Sequence, residues 1–347
     1  MKDLYSIILD SLKTNRSSVL ATIIRQKGHS PRSVGAKLLI TEDGALAGSI
    51  GGGDLEKAVM EAASKVISSS LPLAITNSPA ISCGGDVEVF LEPVHPDNDI
   101  CLHMYKQITD INKRGGAGAL APAIDADLWQ LGYVPKALFK SDGEITGLLP
   151  NMGDTGKGIT DKMPSLIDAR RPEIITCNRK EGDTFNIFIE PITSSPVLYL
   201  FGAGHISSQV VPLAKRVGFK IVVIDDRPEF SNPHNFPDAE NVFNYPYDDV
   251  IKKFPIDRSS FIVITTRSHS CDEMILGQAL RTEAGYIGMI GSRRKISTIY
   301  NNLAKGGFAD NDFDRVHSPI GIDIGAETPE EIALSIVSEL VKARAGK

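Results

Sequence analysis

The second half of the chain contains a strand, a glycine-rich turn, a helix, a second strand and an acid, in that order. The apolar run of residues 196–201 predicts a buried strand, and Gly202, Gly204 and His205 form the turn that follows it. After a helical segment, the next apolar run carries Asp225 near its end. This order is typical of the βαβ unit that opens a Rossmann-like parallel sheet.

The turn departs from the usual dinucleotide fingerprint at one position. Its third glycine is replaced by Ser207, which is still small enough for the helix to pack near its strand. Asp225 lies 21 residues beyond Gly204 and could accept hydrogen bonds from the hydroxyl pair of a ribose. The pattern therefore predicts a dinucleotide fold. For ligand binding, the alternative is a Rossmann scaffold whose pocket is vacant or adapted to another purpose.

Two more buried strands are predicted over residues 261–266 and 286–290. Open α/β sheets bind ligands at the carboxyl ends of their strands, so the polar residues after each strand are candidate contacts. These residues are Arg267, His269, Ser292, Arg293, Arg294 and Lys295. The three consecutive cations begin a predicted helix, which favours a phosphate cradle; a solvated helix face is the alternative. His205 and His269 are either proton donors or hydrogen-bonded loop residues.

Two sequence blocks recur in the first half of the chain at nearly constant spacing. Residues 39–48 resemble residues 138–147 at an offset of 99, and residues 89–94 resemble residues 187–192 at an offset of 98. Each copy fits two strands around an Asp-Gly turn and a later strand that ends in Glu-Pro. The repetition indicates a duplicated unit of about a hundred residues, with chance similarity of common hairpins as the alternative.

A short polar segment at residues 193–196 separates the two halves. The chain has 347 residues, which is more than one hydrophobic core usually serves. We therefore predict an α/β protein of two domains. Residues 1–194 form an α+β domain with an internal duplication, and residues 195–347 form a Rossmann-like domain with a parallel sheet.

The stretch GSIGGGDLE, residues 48–56, contains three consecutive glycines, Gly51, Gly52 and Gly53. Glycine permits either a very sharp turn or the close approach of a ligand to the backbone. The second copy of the repeat lacks the triple glycine at residues 147–154, which favours the ligand, although the two explanations are compatible. Asp54 is predicted to cap the helix that follows, with its free N–H groups facing the same space.

A second glycine-containing motif, Cys83-Gly84-Gly85, precedes a predicted strand. Two glycines beside a cysteine leave the thiol and the neighbouring N–H groups approachable. A buried, inert cysteine is the usual alternative, and the motif by itself leaves both open.

Charge and cysteine spacing argue against several classes of function, although a local basic pocket remains compatible with them. Lys and Arg number 37 against 43 Asp and Glu, a formal net charge of -6, whereas nucleic-acid and anionic-membrane binders need a basic face. No segment approaches the ~20 apolar residues that cross a bilayer. The four cysteines form no CxxC pair, so neither a zinc knuckle nor a disulfide framework is predicted, and the cytoplasm is the expected location.

Eight motifs, in this order along the chain, resemble the xanthine dehydrogenase accessory factor family (XdhC/CoxI). They are GHSPRSVGAKLLI (28–40), GSIGGGDLE (48–56), SCGGDVEVFLEP (82–93), FGAGHIS (201–207), VIDDRPEF (223–230), TTRSHSCDEMIL (265–276), YIGMIGSRRK (286–295) and HSPIGIDIGAETPEEIALSI (317–336). The motifs span nearly the whole chain, and residues 95–180 carry the fewest.

The resemblance implies an accessory protein rather than an enzyme, and no catalytic residue is assigned. Members of this family bind molybdenum cofactor, support its sulfuration with a cysteine desulfurase and pass it to an apo-molybdoenzyme of the xanthine dehydrogenase type. Gly51–Gly53 would then admit the pterin or its phosphate, and Cys83 would lie near the molybdenum, for which a thiolate is a good soft donor. The GSRRK cradle is a second candidate for the pterin phosphate or for a nucleotide. Self-association as a homodimer is expected.

Two other classes remain open. An NAD(P)-dependent oxidoreductase would bind nicotinamide stoichiometrically and transfer hydride. A nucleotide-sensing interaction module would bind a nucleotide without turnover and act on a partner protein.

Overall fold

The computed structural model describes residues 4–28, 32–77, 85–114, 116–179 and 182–345. The helices of these residues are α1 (Leu4–Lys13), α2 (Gly53–Ser69), α3 (Asp99–Arg114), α4 (Met152–Ala169), α5 (His205–Arg216), α6 (His269–Ala279), α7 (Arg293–Lys305) and α8 (Pro329–Arg344).

The strands divide between the two halves of the chain. In the first half they are β1 (Ser18–Lys27), β2 (Lys37–Thr41), β3 (Leu46–Gly48), β4 (Leu73–Asn77), β5 (Asp86–Val94), β6 (Ala117–Pro122), β7 (Lys136–Lys140), β8 (Ile145–Leu148), β9 (Glu173–Asn178) and β10 (Thr184–Thr193). In the second half they are β11 (Val197–Phe201), β12 (Lys220–Asp225), β13 (Asn241–Asn244), β14 (Ser260–Ile264), β15 (Tyr286–Met289) and β16 (Val316–His317).

The chain forms two compact units, Met1–Ser194 and Ser195–Lys347. Within the described residues, the first unit contains two antiparallel five-stranded sheets, and the second contains one parallel six-stranded sheet. The predicted fold class is confirmed, because an α+β unit precedes a Rossmann-like parallel sheet.

The two antiparallel sheets repeat one topology. Their strand orders are β3-β2-β1-β5-β4 and β8-β7-β6-β10-β9, and α2 and α4 occupy equivalent places in the chain. Strands β2 and β7 begin at Lys37 and Lys136, which preserves the spacing of the sequence repeat. This shared order is what the predicted duplication requires.

Each copy covers one face of its sheet with its own helix. Helix α2 buries Leu55, Val59 and Val66 against the first sheet, and α4 packs in the same way on the second. Helices α1 and α3 share a further core cluster that draws apolar residues from both sheets. The two copies are therefore joined by a common hydrophobic core, which neither copy could bury alone.

The parallel sheet of the second unit has the order β13-β12-β11-β14-β15-β16. Helices α5 and α8 contribute to the core on one face, and α6 and α7 contribute to the core on the other. The order reverses between β11 and β14, which are parallel neighbours. In sheets of this kind, that reversal opens a crevice at the carboxyl ends of the two strands.

Candidate functional site

Two strand ends of the first sheet adjoin the glycine-containing motifs. The antiparallel register pairs Lys27, at the end of β1, with Asp86, at the start of β5, and pairs Gly48, at the end of β3, with Leu38. The end of β3 and the start of β5 therefore lie toward the same end of the sheet, three strand spacings or about 14 Å apart across it. Through Leu38 and Ala21, Gly48 is level with Leu91, so the start of β5 lies five residues further along the strands.

The thiol motif lies only partly within the described residues. Cys83 and Gly84 lie outside them, and Gly85 is buried directly before β5. The assignment of Cys83 to the molybdenum end of a cofactor therefore stays a prediction.

The backbone of the glycine turn is hydrogen-bonded within the protein. Oε1 of Glu56 accepts from the Ser49 hydroxyl at 2.8 Å, from the Ile50 N–H at 3.2 Å and from the Gly52 N–H at 3.0 Å. The Gly51 N–H donates to Oγ of Ser49 at 3.1 Å. Burial by itself would raise the pKa of Glu56, but these hydrogen bonds outweigh it and hold the pKa below its ordinary value. These amides are therefore occupied in this conformation.

The conformation of the three glycines explains part of the motif. Gly51, Gly52 and Gly53 have φ angles of 123°, 76° and 63°, which favour glycine. Gly52 corresponds in sequence to Asn151 of the second copy, but Gly52 has a ψ of -171°, which only glycine adopts readily, whereas Asn151 is left-handed at φ 49° and ψ 50°. A Cβ at Gly52 or Gly53 would meet no atom of the described residues within 4 Å. The turn therefore combines a conformational requirement with backbone that a ligand can approach.

The predicted capping role of Asp54 is wrong. Helix α2 begins at Gly53, and Gly52 is its N-cap residue. Asp54 is exposed and lies inside the first helical turn, two positions beyond the N-cap residue. The left-handed glycines start the helix earlier than the apolar periodicity suggested.

A cleft of about 550 Å³ borders the turn at Gly53 and Glu56, a size that suits a small organic ligand. Its charged lining residues are Glu42, Glu56, Lys57 and Glu61. Three carboxylates against one lysine make the lining a better acceptor of ligand N–H groups than of a phosphate. No group of three or more metal-ligating side chains occurs in the part of the chain that the structure describes.

The second unit brings its predicted site residues to one edge of the parallel sheet. The residues after or at the ends of β11, β12, β14 and β15 are Gly202, Gly204, His205, Asp225, Arg267, His269, Ser292, Arg293 and Lys295. Parallel strands end at a common edge, so these loops surround the crevice between β11 and β14. His205 and His269 are the exposed first residues of α5 and α6.

The two glycines of the β11 turn have different functions. Gly202 has a φ of 112°, and a Cβ there would overlap the carbonyl oxygen of Thr265 at the end of β14. A Cβ at Gly204 would meet no atom of the described residues within 4 Å. Gly202 therefore serves close packing of two loops, whereas Gly204 leaves its backbone open to a ligand.

Asp225 is fully buried and holds the glycine turn. Its carboxylate accepts from the Ala203 N–H at 2.7 Å and from the backbone N–H, Nε and Nη2 of Arg227 at 2.9 Å each. Burial by itself would raise the pKa of Asp225, but these hydrogen bonds and the positive charge of Arg227 hold it below its ordinary value. The predicted contact with ribose would therefore require Arg227 to leave.

The predicted phosphate cradle also differs from expectation at one position. Nζ of Lys295 forms an ion pair with the buried Asp272 and donates to the Ile290 carbonyl at 3.1 Å. Ser292 caps α7 by accepting from the Lys295 N–H. Arg293 and Arg294 are exposed and form no ion pair within the described ranges. Two cations, Arg293 and Arg294, rather than three are therefore available to bind an anion at this helix.

Sequence reasoning missed several polar residues at this edge. Asp272 accepts from the backbone N–H of Thr266 at 3.1 Å and from its hydroxyl at 2.6 Å. Asp226 accepts from Nη2 of Arg267 at 2.6 Å. The sequence did contain a signal for Asp226, because it directly follows Asp225 and the two form a pair of consecutive acids. Tyr247, whose buried hydroxyl has no hydrogen-bond partner among the described residues, had no such signal.

The fold and the site define a two-unit protein, a duplicated antiparallel unit with a glycine-rich edge followed by a Rossmann-like unit. Family models described as "XdhC Rossmann domain" and "XdhC and CoxI family" match residues 198–340 and 11–75, together more than half of the chain. The chain belongs to the XdhC/CoxI family.

Two curated relatives and one solved structure extend this similarity. A Bacillus subtilis protein described as a probable xanthine dehydrogenase subunit is 26% identical, covering 98% of this chain and 97% of its own length. An uncharacterized Escherichia coli protein, YqeB, is 24% identical over 70% of this chain and 46% of its own length. A Bacillus halodurans protein whose crystal structure is described as a xanthine dehydrogenase has a TM-score of 0.78 and 28% identity, covering 99% of this chain and 96% of its own.

Among the residues that the structure describes, no helix combines the length and the apolar character that a membrane span requires.

Proposed function

We propose that this chain is a non-catalytic accessory protein for an enzyme of the xanthine dehydrogenase type. In this proposal it binds molybdenum cofactor as cargo, presents it to a cysteine desulfurase for sulfuration and passes it to the apo-enzyme. Family membership and the relatives described as xanthine dehydrogenase proteins support the accessory role. The observation that carries the cargo site is the open backbone at Gly52 and Gly53 beside a cleft of suitable size.

The described residues fit the pterin better than its phosphate. The pterin ring presents N–H donors, and the cleft beside Gly53 is lined by carboxylates. The turn amides that could have held a phosphate are occupied by Glu56 and Ser49. We therefore propose that the ring lies against Gly52 and Gly53, with its donors toward Asp54 and the cleft.

Gly53→Asn tests the cargo site with little strain on the turn. Gly53 has a φ of 63°, which asparagine tolerates, and the added side chain fills open space at the cleft that Gly53 borders. After anaerobic purification from cells that make molybdenum cofactor, we expect pterin fluorescence and molybdenum content to fall at least fivefold. Gly143→Asn is the matched control, because Gly143 is also left-handed and open. Equal pterin retention in both variants would overturn the site.

Cys83→Ala tests the thiol separately. We expect weaker retention of molybdenum and pterin with an unchanged unfolding temperature, because a soft donor to the metal is removed. Cys177→Ala, in a half-buried position on β9, is the control. Retention equal to that of the parent chain would exclude Cys83 from the site.

A nucleotide-sensing role for the second unit is the other candidate function. The open side of Gly204 and the exposed Arg293 and Arg294 favour it. Binding of NAD(P) or another nucleotide stays a prediction, as does hydride transfer by an NAD(P)-dependent oxidoreductase. Absorbance of reduced nicotinamide during incubation with an oxidisable substrate would separate turnover from binding.

A further inference from the structure

A second cleft of the first unit, of about 720 Å³, lies at the opposite end of α2 from the glycine turn. Ser70, the C-cap residue of α2, lines it together with the segment between β5 and α3 and the loop before β7. Helix α2 has 17 residues, so about 25 Å of helix separates this cleft from the proposed cargo site. The volume is typical of a site for a small organic ligand.

His95 brings a ring nitrogen without a partner to this cleft. Its Nε2 is buried and has no hydrogen-bond partner among the described residues, whereas Nδ1 lies 3.4 Å from the Ser17 hydroxyl. A Cβ at Gly132, which also lines the cleft, would meet Nε2 at 3.8 Å, so the nitrogen lies beside backbone that carries no side chain. Buried polar atoms are nearly always hydrogen-bonded in native proteins, so Nε2 indicates a contact with a ligand.

The charge of the lining selects the class of ligand. Asp97 and Asp99 line the cleft, are exposed and form no ion pair within the described ranges, and no Lys or Arg of the described residues lines it. Tyr133 adds an aromatic ring, and Ile100 adds an apolar side chain that is 49% exposed. Carboxylates accept N–H bonds, and aromatic rings attract cations. The cleft therefore favours an organic cation with an apolar part and disfavours phosphates and other anions.

We propose that this cleft binds a guanidinium group carried on a short apolar chain. The guanidinium donates to the carboxylates of Asp97 and Asp99 and to Nε2 of His95, whose Nδ1–H then donates to the Ser17 hydroxyl. Its five N–H donors in a planar fork suffice for two carboxylates and one ring nitrogen, and the apolar chain packs against Ile100. A free small guanidine and the arginine side chain of a protein share this chemistry, and the test separates them. This inference goes beyond the proposed function and does not rest on it.

The test compares butylguanidinium with butylurea, a neutral molecule of nearly the same shape, in saturation-transfer NMR titrations of the full chain. We expect butylguanidinium to bind at least tenfold more tightly, because only the cation pairs with the carboxylates. N-acetyl-arginine amide represents an arginine within a polypeptide in the same titration. Tighter binding of this compound than of butylguanidinium would assign the site to a protein partner, and weaker binding would assign it to a free guanidine.

Substitutions in the lining test the named contacts. Asp97→Asn/Asp99→Asn should reduce the preference for butylguanidinium over butylurea to less than twofold, because the negative charge is removed. His95→Phe should weaken the binding of butylguanidinium at least fivefold, because the ring acceptor is lost. Asp110→Asn and His103→Gln, further along α3, are matched controls and should bind butylguanidinium as the parent does.

Three results would overturn the proposal: equal affinity for butylguanidinium and butylurea, no binding of butylguanidinium at millimolar concentration, or unchanged binding by the double aspartate variant. That variant changes only exposed side chains, so the test holds even where His95→Phe folds poorly. Light scattering should give each variant the mass of the parent, which separates loss of the ligand from a change of assembly. Pterin and molybdenum content should also equal the parent's, which separates failure here from failure of the cargo site.

Discussion

At the scale of single residues, buried or half-buried carboxylates hold the loops at both motif-bearing edges. Glu56 accepts from amides of the β3–α2 turn, Asp225 from the β11 turn, and Asp272 from the loop after β14. A carboxylate that accepts several N–H bonds fixes a glycine-rich loop that would otherwise be costly to order. These acids are therefore part of the scaffold that positions open backbone at Gly53 and Gly204.

Glu56→Ala should destabilise the first unit, because it leaves the Ile50 and Gly52 amides without their acceptor. We expect the free energy of unfolding at pH 7 to fall by about 1–3 kcal/mol. The folded pKa of Glu56 lies below its ordinary 4.5, so its stabilisation is present above that pH and is lost as pH falls through the folded pKa.

Urea unfolding from pH 7 to pH 3 measures both effects of the Glu56 substitution. The parent chain should lose more stability over the acidic part of this range than the variant does. Glu61→Ala, an exposed residue of the same helix, is the control and should behave as the parent. Unchanged stability of Glu56→Ala at pH 7 would contradict the role of this carboxylate.

At the scale of elements, the two copies of the first unit form ion pairs with each other. Lys37 on β2 pairs with Glu190 on β10 at 2.8 Å, and Lys136 on β7 pairs with Glu92 on β5 at 3.0 Å. Tyrosines of the two central helices add to the same glutamates: Tyr5 donates to Glu190 at 2.6 Å, and Tyr105 donates to Glu92 at 3.4 Å. Each copy thus supplies the lysine for the other copy's Glu-Pro strand.

Lys136→Met should be strongly destabilising, because Lys136 and Glu92 are 2% and 5% exposed in their side chains. Removal of one partner leaves a buried charge uncompensated, which costs about 3–5 kcal/mol. Lys37→Met should lower the free energy of unfolding by less, since the side chains of Lys37 and Glu190 are 8% and 16% exposed. Chemical denaturation of the full chain measures both.

The double variant Lys136→Met/Glu92→Met distinguishes a charge effect from a packing effect. It should recover much of the lost stability, because no charge is left unpaired. Lys215→Met, which removes an exposed pair with Glu240, should change stability by less than about 1 kcal/mol. Equal losses of stability for Lys136→Met and Lys215→Met would show that the ion pairs between the two copies do not stabilise the first unit.

At the scale of the whole molecule, we expect a homodimer, and light scattering should give twice the 37.4-kDa mass of one chain. Leu131 and Ile100 are 73% and 49% exposed on one cleft, and such exposed apolar patches mark protein interfaces. Leu131→Glu should shift the mass toward one chain, whereas Leu334→Glu on α8 should leave it unchanged. A single-chain mass for the parent would contradict the dimer.

Regular patterning predicted the architecture of both units. The repeat offsets identified β2 and β7 as equivalent strands of the two copies, and the glycine turn identified the start of the parallel sheet. The short strands β13 and β16 were not predicted, because four and two residues are too few for a periodic signal. The candidate site was predicted as a set of loops but not as a set of contacts, since Asp225 and Lys295 proved to have partners within the protein.

Local sequence by itself determined most of the elements and the duplication, because hydrophobic periodicity and glycine conformations act over a few neighbouring residues. Only the tertiary structure decided which polar groups stay open. Lys295 is neutralised by Asp272 from another helix, and the Tyr5 hydroxyl on α1 donates to Glu190 on β10. A charge or hydroxyl takes its function from the partners that folding brings to it, and those partners are distant in the chain.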